Sequence, residues 1–328
     1  MRAIRVDSFG GPEVLVEAQV DTPTPVDGEW LIKVTGVGLN YADTHQAENS
    51  YLSEQTLPFV PGMEVVGEVV NGDRAGDRVC GFVSRGGAYS EFAITRPELC
   101  FAVPANVSDV AALSLLVQGL TAHHLIHTSA RLKPGETIVV NAAAGGVGSL
   151  AIQLAKKAGA GNIIASASTA DKLEMARQLG ATVGVLADGT QSAKEIAASL
   201  RAANDDRGVD VVLEMVGGTT FDGGLRALGR FGRIICFGNA SRTPQSAISP
   251  SDLMIGSTSV IGYWLVDSMA DPERMIAPVL SELVRMVATG ELQTLPGATY
   301  PLGQAAQAHR DIRDRKTTGK VILDPRLA

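Results

Sequence analysis

Thr137 to Gly148 reads Thr-Ile-Val-Val-Asn-Ala-Ala-Ala-Gly-Gly-Val-Gly and runs straight into the apolar stretch Ser149 to Ala158. A buried strand (Ile138, Val139, Val140) gives way to small residues and restarts as a helix whose first turn has almost no side chains. Such a turn binds anions. The orphan amides of the helix start point outward, the helix dipole adds fractional positive charge, and only Gly or Ala lets a diphosphate approach the backbone. Against the pattern G-x-G-x-x-G the chain has Ala143, Gly145 and Gly148, so one glycine of three is replaced. Gly-rich turns also serve close packing alone. What favours a dinucleotide is order: strand, glycines and helix are followed by another strand-helix unit.

The next strand ends Ala165-Ser-Ala-Ser-Thr-Ala-Asp-Lys172. A dinucleotide with a plain ribose 2′-hydroxyl is usually held there by an acid. This strand tip has hydroxyls at Ser166, Ser168 and Thr169 and a cation at Lys172, which suit a 2′-phosphate through charge-assisted hydrogen bonds. Asp171 falls in the first helical turn, where an acid complements the dipole. Arg242 is a second candidate cation. The expected cofactor is therefore NADPH.

Three other groups of residues bear chemistry. Asn40 to Pro61 carries Asn40, Tyr41, Asp43, His45 and Tyr51 in a polar and aromatic stretch without a clean period, read as an irregular segment that is either a site or a surface loop with local turns. His123 and His127 stand at i, i+4, a spacing that can hold zinc, but no glutamate completes H-E-x-x-H and no third ligand is in view, so no metal is expected. Cys80, Cys100 and Cys236 are far apart, form no C-x-x-C pair and stand in apolar contexts, as small buried residues do.

The elements that position these residues fall into two patterns. From Arg2 to about Ala102, short alternating segments (Ile4 to Asp7, Val14 to Ala18, Glu29 to Val37, Val65 to Val70, Arg78 to Phe82, Tyr89 to Ile94) are punctuated by turns, the mark of a β-barrel or sandwich. Val110 to Leu132 looks helical. From Thr137, strands (Thr137 to Asn141, Asn162 to Ala167, Val183 to Leu186, Val209 to Met215, Arg233 to Gly238, Val260 to Tyr263) alternate with helices (Val147 to Ala158, Ala170 to Leu179, Ala193 to Asn204, Phe221 to Leu228). That implies a parallel, doubly wound sheet with its ligand at the carboxyl ends of the strands. The segments after Trp264, namely a helix Pro278 to Thr289, the stretch Leu295 to Leu302, a helix Gly303 to Arg313 and a strand Lys320 to Leu323, most simply complete the first domain. The expected division is 1–115, 116–265 for the dinucleotide domain, and 266–328.

A chain of 328 residues, 45% hydrophobic and 19% charged, has material for two packed domains. Its net charge of −7 argues against nucleic acid as a partner. No uninterrupted apolar run is long enough for a membrane span and the N-terminus has no signal-peptide core, so the expected location is cytoplasmic.

Ala142-Ala-Ala-Gly-Gly-Val-Gly148, Gly119-Leu-Thr-Ala122, Asn40-x-x-Asp43, Pro61-Gly-Met-Glu64, Gly76-Asp-Arg-Val79, Gly87-Ala-Tyr-Ser-Glu91, Phe237-Gly-Asn239 and the closing Gly319-Lys-Val resemble, in order and over nearly the whole chain, the zinc-independent quinone oxidoreductases (ζ-crystallin-like) of the medium-chain dehydrogenase/reductase superfamily. The resemblance implies an α/β fold, a GroES-like β-barrel domain interrupted by a Rossmann domain, assembled as a homodimer. It also implies NADPH-dependent hydride transfer to a quinone or an α,β-unsaturated carbonyl. Zinc alcohol dehydrogenases of the superfamily carry a cysteine where this chain has Asn40, and Gly-His-Glu where it has Gly62-Met63-Glu64, so metal is not implied. By the same resemblance Asn40 and Thr121 lie by the nicotinamide. Gly145, Gly146 and Val147 lie by the diphosphate, Ser168 and Lys172 by the 2′-phosphate, and Phe237, Gly238 and Asn239 along the cofactor's inner edge. Tyr51 falls where related enzymes carry a tyrosine, as a hydrogen-bond donor to the developing oxygen or as an aromatic wall. His45 replaces a second tyrosine of some relatives, as a proton donor or a lining residue.

Two rival functions remain open at this level: an NADPH-dependent enoyl or alkenal reductase, and an NADPH-binding structural or regulatory protein with vestigial activity. A zinc alcohol dehydrogenase is a more distant third. The apolar run Ile255 to Leu265 is the expected edge for homodimer pairing.

Overall fold

The computed structural model describes residues 1–328. The chain divides into two compact units, Met1–Gln118 with Ser268–Ala328, and Gly119–Asp267. In chain order the strands are β1 (Arg2–Arg5), β2 (Val16–Gln19), β3 (Trp30–Leu39), β4 (Glu64–Val69), β5 (Arg78–Phe82), β6 (Phe92–Thr95), β7 (Cys100–Ala102) and β8 (Thr137–Val140). They continue as β9 (Asn162–Ala167), β10 (Val183–Leu186), β11 (Val209–Glu214), β12 (Leu228–Cys236), β13 (Ser259–Gly262), β14 (Pro296–Pro301) and β15 (Lys320–Asp324).

In the first unit β3 is the hub. Its run of Val, Ile and Leu favours a half-buried pleated strand, and it pairs antiparallel with β6 at its start, β4 along its middle and β15 at its end. The register slips between Val34 and Gly36, which lets one strand serve several partners. The sheet order is β14-β15-β3-β4-β5-β7, with β6 on β3, so the last strand of the chain lies between β14 and β3. Ile4, Ile32, Val37, Val65, Tyr89 and Leu323 are among the buried residues of its core.

The second unit is a six-stranded sheet in the order β10-β9-β8-β11-β12-β13, parallel throughout. All four residues of β8 are buried, as the apolar run at Thr137 demands of a central parallel strand. The winding reverses between β8 and β11, where a doubly wound sheet places its ligand.

Several local expectations change. Asn40 to Pro61 is not irregular throughout, because Tyr41–Ala47 is a helix. Its start is fixed by the Asp43 carboxylate, which accepts the Asn40 backbone N–H at 2.9 Å. No apolar period announced it because three of the four residues it buries, Asp43, Thr44 and His45, are polar, the fourth being Ala47. The strand expected at Tyr89 begins only at Phe92, and Tyr89 is a buried core residue before it. β1 spans Arg2–Arg5 rather than Ile4 to Asp7, Pro12–Val14 is a tight helical turn, and β12 starts at Leu228, with glycines at 229 and 232 masking its alternation. The expected helix at Phe221 begins at Gly218. The brief strand Cys100–Ala102 and the short helices Pro250–Met254, Leu265–Ser268 and Pro272–Met275 carry too few residues to show a period.

The helix expected from Val110 runs Asp109–Ser129, capped by Ser108, whose Oγ accepts the Ala111 N–H at 3.2 Å. It widens into π turns over Ser114–Gly119 and Leu125–Ser129. Its length and apolar composition would suffice to cross a membrane, but 78% of its most apolar window is buried in the fold, as in a core helix.

Candidate active site

In the second unit the chain leaves β8 through Ala142, whose φ of 49° turns the backbone sharply, and the Gly145 N–H donates to the Ala142 carbonyl at 2.8 Å. The helix Gly146–Lys157 then starts with no side chain capping it, so its first amides have only their own turn for company. The glycines have different tasks. A Cβ on Gly148 would stand 2.4 Å from the Ala142 carbonyl oxygen and 2.9 Å from the Ala143 Cα, so this glycine lets the helix pack on the turn. A Cβ on Gly145 would approach only Ala142, its oxygen at 3.1 Å and its Cβ at 3.9 Å, which leaves the other side open for a ligand. An uncapped helix start of small residues fits a diphosphate.

The second strand tip joins this turn through the Ala143 N–H, which donates to the Ser166 carbonyl at 3.1 Å. Thr169 is committed to its own helix, Ala170–Gln178, its Oγ1 accepting the Lys172 N–H at 3.3 Å. Ser168 and Lys172 are half-buried beside it and Asp171 is exposed. Beyond β12, the Ala240 N–H donates to the Met215 carbonyl at 2.8 Å and the Ser241 N–H to the Val216 carbonyl at 2.7 Å. Gly145, Gly146, Val147, Ser168, Lys172, Phe237, Gly238 and Asn239 thus follow the carboxyl ends of β8, β9 and β12, on one edge of one sheet. Thr121 is buried on the helix Asp109–Ser129, which packs against Gly146–Lys157.

Two residues at this edge escaped sequence reasoning. Glu214, the last residue of β11, is buried; its Oε1 accepts the Val216 and Gly217 N–H groups, each at 2.7 Å, and its Oε2 accepts the Asn141 side-chain amide. Burial pushes its carboxyl up to about 7 against the lowering effect of those hydrogen bonds. The available signal was an acid and an amide closing otherwise apolar strands.

In the first unit the helix Tyr41–Ala47 and the turn after it bring His45 and Tyr51 together, while Asn40 caps the start of that helix. The Asn40 side chain is fully engaged. Its Nδ2 donates to Glu64 Oε1 at 2.7 Å and its Oδ1 accepts from Lys320 Nζ at 3.2 Å. Glu64 and Lys320 themselves form an ion pair, and Glu64 Oε2 accepts the Val117 N–H at 3.0 Å. The His45 ring is 5.7 Å from Tyr41 and 6.4 Å from Tyr51, centroid to centroid, and its Nδ1 is 2.9 Å from Ser50 Oγ. Next to Asn40, the Tyr89 hydroxyl donates to Asp43 Oδ2 at 2.9 Å and lies 3.0 Å from His309 Nε2. Burial raises Asp43 to about 7 and lowers His309 to about 3.

The helix histidines form no larger constellation. His123 and His127 meet with ring centroids 4.5 Å apart and planes tilted by 45°, and His124 Nδ1 is 2.9 Å from Thr128 Oγ1. Burial, then the neighbouring His127 and His124, lowers His123 to about 4. No group of three or more His, Cys, Asp or Glu side chains is gathered as metal ligands would be. The cysteines are all free; Cys80 is wholly buried, and Cys100 and Cys236 partly so.

Residues 26–105 match the family model of the alcohol dehydrogenase GroES-like domain, and residues 146–284 that of the zinc-binding dehydrogenase. The mouse quinone oxidoreductase is 33% identical, over 98% of this chain and 97% of its own length. The chain belongs to the quinone oxidoreductase family. It is an oxidoreductase of the medium-chain dehydrogenase/reductase superfamily, with the GroES-like and Rossmann units of that fold. Among solved structures, a mycobacterial protein complexed with NADPH superposes with a TM-score of 0.91 at 35% identity, covering 99% of this chain and 100% of the other. The Escherichia coli quinone oxidoreductase complexed with NADPH superposes with a TM-score of 0.90 at 29% identity, with 99% and 100% coverage.

Proposed function

We propose that this member of the quinone oxidoreductase family uses NADPH to reduce a quinone or an α,β-unsaturated carbonyl without a metal. The observation that carries the reading is the shared sheet edge, where the uncapped start of the helix Gly146–Lys157 lies beside a strand tip that offers Ser168 and Lys172 in place of an acid. When bound, the dihydronicotinamide supplies a hydride from its C4. The chain's residues hold and orient: Gly145, Gly146 and Val147 take the diphosphate, Ser168 and Lys172 the 2′-phosphate, and Phe237, Gly238 and Asn239 the inner edge. In the second unit Thr121 takes the nicotinamide. Positioning of this kind supplies much of the acceleration when two reactants must meet in one geometry.

A conjugated acceptor spreads the arriving charge and so needs no Lewis acid, unlike an alcohol's alkoxide. The Asn40 amide, already spent on Glu64 and Lys320, supports the metal-free reading at the position where zinc relatives carry a thiolate. Tyr51 donates a hydrogen bond to the developing oxygen. His45, steadied by Ser50, delivers the proton. Three free cysteines suit a reducing cytoplasm. β13 is the last strand of its sheet, and Phe231, Met254 and Ile255 nearby are more than 70% exposed, which supports a homodimer paired along that edge.

NADPH oxidation assayed against 1,2-naphthoquinone, a 2-alkenal and an enoyl thioester tests the reading. Turnover of the quinone or the alkenal is expected, and turnover of the thioester alone moves the chain to the enoyl reductases. Tight NADPH binding with no turnover would make it a cofactor-binding protein, and no binding heat with NADPH overturns the reading.

A further inference from the structure

Three hydrogen bonds converge on the carboxylate of Glu214, which none of the chemistry above uses. Oε1 takes the consecutive backbone N–H groups of Val216 and Gly217, and Oε2 takes the side-chain amide of Asn141. Asn141 immediately precedes the glycine turn that opens the helix Gly146–Lys157, and Val216–Gly217 opens the helix Gly218–Ala227. One buried side chain therefore ties together the ends of β8 and β11, the two strands between which the winding reverses.

The loop so held supports a third. The carbonyls of Met215 and Val216 accept the N–H groups of Ala240 and Ser241, and Gly217, with a φ of 83°, keeps open the space that Asn239 Oδ1 occupies, 2.0 Å from where a Cβ would be. At Gly217 a positive φ accompanies the two amides that point at Glu214. Burying an acid is costly unless it is fully hydrogen-bonded, and this one is.

We propose that Glu214 is a positioning residue for the dinucleotide, a three-way clamp that sets the Asn141–Gly148 turn and the Phe237–Ser241 loop in register for binding. The proposal rests on the NADPH reading. Glu214→Ala leaves two backbone amides and the Asn141 side chain without their acceptor. Glu214→Gln keeps the clamp, because its Oε1 still accepts both amides and its Nε2 donates to Asn141 Oδ1 once that carboxamide turns over.

The test is calorimetric titration with NADPH together with steady-state kinetics and amide hydrogen exchange. Glu214→Ala is expected to weaken NADPH at least about tenfold, with kcat at saturating NADPH within about threefold of wild type, and to lose protection at the Val216 and Gly217 amides. Glu214→Gln is expected within about threefold of wild type in affinity, with that protection kept. A folded Glu214→Ala protein that binds NADPH normally overturns the proposal. So does Glu214→Gln as weak as Glu214→Ala. Should Glu214→Ala not fold, Asn141→Asp, which sets two carboxylates against each other, is expected to weaken binding, and adding Glu214→Gln to it to restore binding; failure of that rescue overturns the clamp. Wild-type protein that ignores NADPH while its Val216 and Gly217 amides stay protected against Glu214→Ala would instead retire the cofactor reading.

Discussion

Lys320, the first residue of the last strand, and Glu64, the first residue of β4, form an ion pair from which solvent is wholly excluded. They share Asn40, which donates to Glu64 and accepts from Lys320, and β3 separates their strands in the sheet. A buried pair costs much to desolvate, and removing one member strands the other charge. Lys320→Met is therefore expected to destabilise the protein by about 3–5 kcal/mol. The double variant Lys320→Met, Glu64→Leu should recover a large part of that loss in denaturant titration. A double variant no better than the single one would mean that the pair's worth lies in packing and not in its charges.

The pH dependence of stability follows from four groups, three of them buried and His123 partly so, pulling in opposite directions. His309, lowered to about 3, and His123, lowered to about 4, refuse protons that the unfolded chain takes below about 6.5, so they drain stability as pH falls. Asp43 and Glu214, raised to about 7, hold protons that the unfolded chain releases above its ordinary carboxylate range, so they add stability as pH falls from about 7. Between about pH 5 and 6.5 the two effects oppose each other and the wild-type profile is expected to be shallow. His309→Gln removes one side of the balance. The slope of unfolding free energy against pH should drop by up to about 1.4 kcal/mol per pH unit across that window, measured by urea titration. An unchanged slope would show that His309 titrates normally.

Much of this arrangement was legible along the chain, and what was not has a physical reason. The Gly145–Gly148 turn could be read because a strand, side-chain-poor residues and a helix must follow one another in sequence, and Lys172 because a missing acid is itself a local fact. The helix Tyr41–Ala47 could not, since it buries polar residues and so has no apolar stripe. Nor could the pairs that matter most to the first unit. Lys320 and Glu64 are 256 residues apart and Tyr89 and His309 are 220 apart, and nothing local says which partner a buried charge will find. Their trace was compositional only: a lysine before Val-Ile-Leu and a glutamate before Val-Val, charges where a strand should have none.

The cation at the second strand tip makes a separable prediction. Lys172 follows Thr169, whose hydroxyl accepts the Lys172 backbone N–H, and we assign the 2′-phosphate to Ser168 and the Lys172 ammonium. Lys172→Glu replaces attraction by repulsion, and charge-assisted hydrogen bonds of this kind are worth about 1.5–3 kcal/mol. KM for NADPH is expected to rise about tenfold to a hundredfold, with KM for NADH little changed. Equal effects on both cofactors would place the 2′-phosphate elsewhere.

The apolar surface next to β13 makes another. Met254 and Ile255 are 78% and 82% exposed, and paired charges there would oppose association without disturbing any core contact. Wild-type protein at micromolar concentration should scatter light as a dimer, and Met254→Glu with Ile255→Glu as a monomer of unchanged fold. A wild-type monomer rules out the edge pairing.

His45 and Tyr51 are divided by a last experiment. The two ring centroids lie 6.4 Å apart, His45 Nδ1 is 2.9 Å from Ser50 Oγ, and Ser50 is 3.4 Å from Glu48, which Arg313 holds in an ion pair. A histidine so tethered can pass on a proton and keep its position, whereas a tyrosine hydroxyl serves as a hydrogen-bond donor. Tyr51→Phe should then lower kcat by roughly tenfold to a hundredfold at every pH, as losing a single donor to a developing oxyanion does. His45→Gln should instead lower kcat, as losing a general acid does, while leaving NADPH binding intact. If Tyr51→Phe turns over quinones and enones at the wild-type rate, its ring is a wall. If His45→Gln keeps the wild-type kcat, the proton comes from water.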